Sequence, residues 1–243
     1  MGKVIDREKQ ESEKSKKKIG IIVGVSVVAV IAIVMFVIVG MGIFRDFDAQ
    51  GYTSAMLDQT FKGKVEAAAS MVEDQTEEEL YAQYEEGVES FVANNITSGV
   101  EMDAELQEKY IALCREIFAA MKYDVKEAEK ISRKEYQVPV EYQSADIFKN
   151  FVTAVSNEYT RLMQKVENGE YQGTLEEINA QMQADYLNDT YELLKTAYEG
   201  VQYAEPETMI FTVKEDENGL FTLDEAQIYE FITKIMGLDE IQD

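Results

Sequence analysis

The chain of 243 residues has no histidine, no tryptophan and a single cysteine, Cys114. One cysteine cannot close an intrachain disulfide bond. Zinc and haem sites are usually built from histidine or from several cysteines, so both are disfavoured. The lack of histidine also removes the commonest general base and the usual switch near neutral pH. These absences leave carboxylates as the main candidates for any chemistry.

Positive charge is also scarce, and it is unevenly placed. The chain has 23 lysine and arginine residues against 47 aspartate and glutamate residues, a net charge of −24. Residues 1–18 carry a net charge of +3 and residues 19–44 carry none, so residues 45–243 carry −27. Such an acidic domain repels nucleic acid and anionic lipid head groups. Nucleic acid is therefore excluded as a partner, whereas cationic partners and diffusely bound divalent ions are not.

Charge is wholly absent from the run IGIIVGVSVVAVIAIVMFVIVGMGIF at residues 19–44. As a helix this run would be about 39 Å long at about 1.5 Å per residue, and the hydrocarbon core of a bilayer is about 30 Å thick. A signal peptide would have a shorter apolar region followed by small residues at a cleavage site. A lipoprotein would have a cysteine just after the run, and Cys114 lies far downstream. The run therefore predicts an uncleaved transmembrane signal anchor.

The flanks of this run predict its orientation. Four lysines lie just before it, and Arg45, Asp46 and Asp48 follow it. Positive charge favours the cytoplasmic side, so residues 1–18 are predicted to be a cytoplasmic tail and residues 45–243 an extracellular domain.

Beyond Arg45 the apolar residues mostly recur at helical spacing. Two capping boxes, Thr76-x-x-Glu79 and Thr174-x-x-Glu177, predict helix starts. Alternating residues predict one β-hairpin within residues 123–142 and a second within residues 208–223. Pro139 predicts that its strand lies at a sheet edge or carries a bulge, because proline cannot donate a hydrogen bond to a neighbouring strand.

Helices, then a hairpin, then a helix occur in both halves of the outer domain. The predicted fold class is therefore α+β and mainly helical, with one N-terminal transmembrane helix followed by two related helix-rich units, each containing an antiparallel β-hairpin. We place the units at residues 45–144 and 145–243. They share one core or lie side by side, and the sequence leaves both arrangements open.

Several stretches of the outer domain resemble, in their residues and in their order, segments of a known family. They are YTSAMLDQTFKG from Tyr52, TEEELYAQYEEGVESF from Thr76, and MKYDVKEAEK followed by EYQVPVEY. Together they resemble an uncharacterised extracytoplasmic domain family, a domain of unknown function, of Gram-positive and mainly clostridial lipoproteins and membrane-anchored surface proteins. The likeness covers most of residues 46–236. Members often begin with a lipobox, which this chain replaces with a signal anchor, and the resemblance implies no activity or functional residue.

Candidate sites each have a plainer interpretation. The acidic runs Glu77–Glu79 and Glu85–Glu86 could supply a catalytic carboxylate pair, but charge runs usually form solvated helix faces. Residues 214–225 resemble a calcium loop with Lys214 where the first carboxylate belongs, so a hairpin turn is favoured. Asn95 and Asn188 begin glycosylation sequons that are accidental in a bacterium. The sequence thus predicts no catalytic, cofactor-binding or metal-binding residue.

The functional expectation is a membrane-anchored, acidic, non-enzymatic module that binds a protein, wall polymer or small ligand at the bacterial surface. Two alternatives stay open, a cell-envelope hydrolase that uses paired carboxylates and an accessory subunit of a membrane transporter. Gly20 and Gly24 form one GxxxG spacing, which predicts a weak homodimer through the membrane helix unless both glycines face lipid.

Overall fold

A computed structural model of the chain describes residues 38–39, 47–72, 75–217 and 219–241. The helices are α1 (Ala49–Lys62), α2 (Glu66–Ala69), α3 (Glu77–Phe91), α4 (Ala104–Ala119), α5 (Ile147–Glu167), α6 (Leu175–Glu199) and α7 (Glu225–Ile235). The strands are β1 (Ile38–Val39), β2 (Lys122–Val125), β3 (Glu129–Ser132), β4 (Glu135–Gln143), β5 (Glu207–Glu215) and β6 (Leu220–Leu223). A π-helical segment, Val92–Ile96, follows α3 directly. The predicted α+β, mainly helical class is confirmed.

The predicted cytoplasmic tail, residues 1–18, lies outside the described residues, as does most of the predicted transmembrane helix at residues 19–44. Two residues of that run are described, and they form strand β1. Within the described ranges, no helix is both long enough and apolar enough to cross a bilayer. The anchor stays a prediction.

Side-chain caps mark the starts of α1, α3, α4, α6 and α7. Thr76 and Glu79 form the predicted capping box at the start of α3, and Thr174 and Glu177 form the other at the start of α6. In each box the threonine hydroxyl accepts from the glutamate N–H, while the glutamate carboxylate accepts from the threonine N–H. These bonds satisfy amide groups that the helix itself cannot pair.

One antiparallel sheet contains the strands of both predicted hairpins. Its order is β1-β6-β5-β4-β2, with β3 also paired to β4. The central pair joins β4 to β5 over eight residue pairs, from Glu135 opposite Lys214 to Tyr142 opposite Glu207. Strands of the first predicted unit therefore pair with strands of the second. The boundary between residues 144 and 145 stays a prediction, but the two hairpins form a single sheet.

Pro139 does not lie on an edge strand, so that part of its prediction is wrong. β4 is paired on both sides, by β5 on one and by β2 and β3 on the other. Proline is tolerated here because Pro139 lies opposite the connection between β2 and β3. Its carbonyl accepts from the Lys126 N–H at 2.9 Å, and its nitrogen needs no partner at that gap.

Helices α1 and α7 pack against one face of this sheet, and the described buried residues of helices and strands form one cluster. Phe231 of α7 is completely buried at its centre. Its ring lies within 6.5 Å of four others, centroid to centroid, from Phe61, Tyr123, Tyr142 and Phe211. Three of these rings come from the first predicted unit and one from the second. Buried side chains of both units thus share one core.

The other face of the sheet is open to solvent. Along β4 the side chains alternate, and those that point away from the core are only half-buried. We define the open face by eight residues that lie opposite one another on β4 and β5. They are Glu135, Gln137, Pro139, Glu141, Thr208, Ile210, Thr212 and Lys214. None of these eight belongs to the buried core of the described residues.

Candidate functional site

A small cleft lies where three connections meet at one end of the sheet. Its volume is about 260 Å³, and it is bordered by residues 144–146, by residues 202–204, and by Gly237 beyond α7. The Ala145 N–H donates to the Ile235 carbonyl at 3.0 Å, and the Ala204 N–H donates to the Ser144 carbonyl at 2.9 Å. These bonds hold the three segments together around the cleft.

The polar groups of this cleft already serve the fold. The Asp146 carboxylate accepts from the Gln202 N–H at 2.8 Å, and the Tyr203 hydroxyl donates to the Ala120 carbonyl at 2.9 Å. The volume is below the range of about 300–1,000 Å³ that is usual for small-molecule sites. Asp146 and Tyr203 thus hold the segments around the cleft in place.

The carboxylates that the structure does bring together lie between α5 and α6. Arg161 donates to both carboxylate oxygens of Glu158, with its Nε 2.8 Å from Oε2 and its Nη2 2.6 Å from Oε1. The same Nη2 lies 2.6 Å from Asp189 Oδ2. One turn further along α5, Lys165 Nζ lies 2.9 Å from Asp185 Oδ2. The two cations of α5 thus clamp two carboxylates of α6.

The two aspartates of this clamp differ in their proton affinity. The hydrogen bond from Lys165 lowers the pKa of Asp185, and a second hydrogen bond from the Tyr171 hydroxyl adds to this effect. Burial raises the pKa of Asp189, and its hydrogen bond with the Glu158 carboxyl raises it further. The hydrogen bond from Arg161 holds the pKa of Glu158 below its usual value. Glu158 is therefore the carboxylate that Arg161 neutralises, and Asp189 is the one that takes a proton more readily.

Glu158 and Asp189 lie too close together for glycoside hydrolysis. Retaining enzymes hold their two carboxyl groups about 5–5.5 Å apart, and inverting enzymes hold them about 6.5–9.5 Å apart. Here the two carboxyl groups are in hydrogen-bond contact, and Arg161 binds both. No sugar fits between them. This arrangement ties two helices together, and it does not favour the hydrolase alternative.

We predict opposite effects of two isosteric substitutions in the clamp. The lowered pKa of Asp185 stabilises the fold above the unfolded pKa of about 3.9, and that gain is lost as the pH falls through the folded pKa. The raised pKa of Asp189 acts in reverse, because its ionisation favours unfolding as the pH rises. At pH 7, Asp185→Asn should therefore lower the free energy of unfolding by a few tenths to about 1 kcal/mol, the range of solvated pairs, whereas Asp189→Asn should raise it slightly.

Urea unfolding at pH 7 and at pH 3 measures the free energy of unfolding of the wild-type chain and of both variants. The loss caused by Asp185→Asn should be smaller at pH 3 than at pH 7, because the wild-type gain decreases as the pH falls below the unfolded pKa towards the lowered folded pKa. Equal destabilisation by both variants at pH 7 would contradict the assignment of the two aspartates.

The acidic runs singled out in the sequence lie on helix surfaces. Glu77–Glu79 form the first turn of α3, where negative charge is favoured by the helix dipole. Glu85 makes an ion pair with Arg115 of α4, which also lies 3.3 Å from Glu108. These acidic residues thus cap or join helices.

The calcium-like stretch at residues 214–225 spans a hairpin, as predicted. The Asp216 carboxylate accepts from the Leu220 N–H at 2.9 Å, and the Asp216 N–H donates to the Leu220 carbonyl at 2.8 Å. The Asp216 side chain thus closes the turn between β5 and β6. Across the part of the chain that the structure describes, no three acidic or cysteine side chains are grouped to hold a metal ion.

Two further candidates are buried. Burial raises the pKa of the Cys114 thiol to about 12, so the thiol is protonated and inert at neutral pH. Asn95 of the first sequon is 2% exposed within the π-helical segment, where a glycosyl group could not be attached. Both residues therefore belong to the packing of the helices.

A site that the sequence did not indicate lies along the outer edge of β5. β6 pairs with β5 only at Val213–Glu215, which leaves the preceding residues of β5 without a strand beside them. The side-chain amide of Gln227 takes the place of a strand there. Its oxygen accepts from the Thr212 N–H at 2.8 Å, and its nitrogen donates to the Ile210 carbonyl at 3.3 Å. A glutamine three residues into a helix gives no sequence signal for this role.

No family model matches the chain, and no curated protein matches it. A similar solved structure is that of a protein described as a "putative lipoprotein (ycdA)" from Bacillus subtilis, with 14% sequence identity and a TM-score of 0.42. The match covers 76% of this chain and 54% of the Bacillus protein, so it spans about half of that protein. A likeness of this size does not establish a shared fold. The resemblance to the extracytoplasmic domain family stays a prediction.

Proposed function

We propose that the chain is a non-enzymatic interaction module, tethered to the bacterial membrane and displayed on the outside, which binds its partner through the open face of the sheet. The observation that carries this proposal is the open face itself. Two paired strands present Gln137, Thr208 and Thr212 around Pro139 and Ile210, and Ile210 is 42% exposed. An apolar centre with a polar rim is the usual composition of a protein interface.

The structural roles of the residues at the other candidate sites support a binding role over catalysis. The paired carboxylates join helices, the thiol is buried, and the cleft is small with its polar groups engaged. Because the cleft falls below the usual size of a ligand pocket, a macromolecule such as a protein or a wall polymer fits the proposal better than a small molecule does.

Site-specific photocrosslinking tests the open face as a binding surface. A photoreactive residue at Thr212 should give a discrete adduct when the full chain is incubated with intact cell-envelope preparations that contain wall polymer and membrane proteins. The same residue at Glu176, on the exposed start of α6, is the control and should give none. Ile210→Asp should weaken the Thr212 adduct at least tenfold, because it places a charge at the apolar centre of the face. Equal adducts from both positions would contradict the proposal.

The alternatives have separate tests. A hydrolase should release reducing ends from cell-wall glycan, and Glu158→Gln should abolish that release; we expect none from the unaltered chain. An accessory transporter subunit should lose its partner when residues 19–44 are replaced by an unrelated transmembrane helix. A binding module should keep its partner after that replacement.

The tether and its orientation form a separate part of the proposal. Support comes from the uncharged run at residues 19–44 and from the lysines before it. Protease added to intact cells should remove the chain beyond Arg45 and spare residues 1–18, which an antibody to an N-terminal tag would detect. Protection of the C-terminus would contradict the outside location of the domain.

A further inference from the structure

The start of β5 has backbone groups that point away from the rest of the sheet. Along an antiparallel strand, the N–H and C=O groups of successive residues point alternately to the two sides. The Glu215 N–H donates to the Lys134 carbonyl on the β4 side, whereas the Thr212 N–H donates to Gln227 on the other side. The even-numbered residues of β5 therefore present their backbone groups to the outer edge, where β6 pairs only with Val213–Glu215.

Three of these outward groups have no hydrogen-bond partner among the residues that the structure describes. They are the N–H and C=O groups of Thr208 and the N–H group of Ile210. The Ile210 carbonyl accepts from the Gln227 amide at 3.3 Å, which is longer than the usual range of about 2.7–3.2 Å. Both residues are exposed to solvent. The free stretch of the edge is therefore Glu207–Ile210, between Pro206, which has no N–H group, and the Gln227 amide.

Helix α7 runs beside this free stretch. Gln227, Glu230 and Lys234 lie on one face of α7, because they are three and four residues apart. At one end of that face Gln227 contacts Thr212. At the other end the charge of Glu207 acts on Lys234. This face of α7 therefore follows β5 back towards its first residue.

The side chains along this stretch are predominantly acidic. Glu230 Oε1 lies 2.8 Å from Lys234 Nζ. Their hydrogen bond raises the pKa of Lys234, and the charges of Glu207 and Asp239 add to this effect. The Lys234 ammonium group is thus shared among three carboxylates, and the exposed Glu205 precedes the strand. Charge complementarity favours a cationic partner here, and it disfavours a second copy of a domain whose net charge is −27.

We propose that an extended segment of a partner protein, carrying lysine or arginine, adds to the sheet as a strand beside Glu207–Ile210. This inference rests on the proposed function, and it names the class of partner. The N–H and C=O groups of the added strand pair with Thr208 and Ile210, and they replace the long hydrogen bond from Gln227. In strand addition these backbone bonds supply affinity, and the alternating side chains supply specificity.

The two sides of the sheet predict the pattern of the added strand. Its residues opposite Thr208 and Ile210 point to the open face, where an apolar side chain continues the patch around Ile210. The intervening residues point to the face of Glu207, whose carboxylate accepts from the Tyr142 hydroxyl at 3.1 Å. A basic side chain on that side meets the acidic groups beside α7. The partner segment is therefore expected to alternate apolar and basic residues.

Three fluorescent peptides of seven residues test this pattern on the full chain in detergent. The first alternates lysine with valine. The second has the same sequence with N-methylated valines, so it keeps the charge but loses the donors opposite Thr208 and Ile210. The third has glutamate in place of lysine. In fluorescence anisotropy at physiological ionic strength, we expect the first peptide to bind at least tenfold more tightly than either of the others.

Each control peptide can overturn the proposal. Equal binding of the first and second peptides would show diffuse attraction to an acidic surface instead of strand addition. Equal binding of the first and third peptides would show that the edge does not select a basic partner.

Thr208 offers a matched pair of substitutions at the edge. Its N–H group points outward, so Thr208→Pro removes a donor that β4 does not use, whereas Thr208→Val keeps it. Thr208→Pro should weaken binding of the first peptide at least tenfold, and Thr208→Val should change it less than twofold. Unchanged binding by a Thr208→Pro chain with native near-UV circular dichroism would overturn the proposal. If that variant does not fold, the N-methylated peptide decides the question on the unaltered chain.

The photocrosslink at Thr212 separates failure of this inference from failure of the proposed function. We expect Thr208→Pro to reduce the cell-envelope adduct at least tenfold. If the adduct survives Thr208→Pro but not Ile210→Asp, the open face binds without strand addition, and this inference alone fails. If Thr212 and Glu176 give equal adducts, the proposed function fails, and this inference fails with it. A dimer of the chain that Thr208→Pro dissociates in sedimentation would show that a second copy occupies the edge, which also overturns the inference.

Discussion

Replacing Phe231 by alanine should lower the free energy of unfolding by about 3–5 kcal/mol, the usual cost of emptying a buried phenylalanine site. Phe231 is completely buried, and its ring meets four other aromatic rings from α1, β2, β4 and β5. A loss of this size is a large part of the 5–15 kcal/mol by which domains are usually stable. Urea unfolding of the full chain in detergent, followed by tyrosine fluorescence and near-UV circular dichroism, measures it.

Tyr229 provides the control for Phe231. It lies on the same helix, α7, and is 43% exposed, so Tyr229→Ala should change the stability by no more than about 0.5 kcal/mol. If the two hairpin regions had separate cores, Phe231→Ala would give two unfolding transitions and shift only one of them. A single shifted transition is the expected result.

Replacing Gly63 by alanine should lower the free energy of unfolding by about 2–5 kcal/mol, the sum of a backbone cost and an overpacking cost. Gly63 ends α1 with a positive φ of 60°, a conformation that costs an alanine about 1–2 kcal/mol. A Cβ atom at this position would also lie 2.7 Å from Cε1 of Tyr84, whose ring belongs to the core. Moving that ring adds a cost in the range of about 1–3 kcal/mol that is usual for overpacking.

Gly99 separates the two contributions at Gly63. Its φ is 70°, and a Cβ atom there would meet no atom within 4 Å. Gly99→Ala should therefore show the backbone cost alone, about 1–2 kcal/mol. The difference between the two variants measures the collision with Tyr84. Equal losses would show that the Tyr84 ring moves aside without cost.

The helices could be predicted from the sequence because each depends on residues close in the chain. The threonine and glutamate of each capping box are three residues apart, and Gly63 follows α1 directly. Burial within α3 also follows its sequence stripe, from Leu80 and Tyr84 to Val88 and Phe91. These local patterns predict helices without any knowledge of the tertiary structure.

The sheet could be predicted only in part, because strand pairing depends on distant residues. The alternation in β4 and β5 identified two strands, but nothing local indicated that Tyr142 lies beside Glu207. β3 was missed because all four of its residues are exposed, so it has no alternation. Pro139 predicts a sheet edge or a bulge because its missing donor is visible in the sequence, whereas the gap between β2 and β3 that accommodates it is not.

The clamp between α5 and α6 could not be predicted either, because it joins residues that are far apart in the chain. Glu158 and Arg161 are three residues apart, a spacing that favours a pair on one helix. Asp189 joins them from 28 residues away, through the geometry of a helical hairpin. The prediction of solvated acidic residues is confirmed for Glu77–Glu79 and Glu86, whereas Glu85 is half-buried against Arg115. The sequence gave no reason to single out Glu158, Asp185 or Asp189.

The pairing of β4 with β5 sets the order in which the chain can acquire its structure. Tyr142 and Glu207 are 65 residues apart, and ribosomes add about 5–20 residues per second. β4 therefore exists for about 3–13 s before its main neighbour has been made. During that interval α5 and α6 can form on their own, since their contacts are local, whereas β4 offers an unpaired edge to any other strand nearby. A slower ribosome would lengthen this interval.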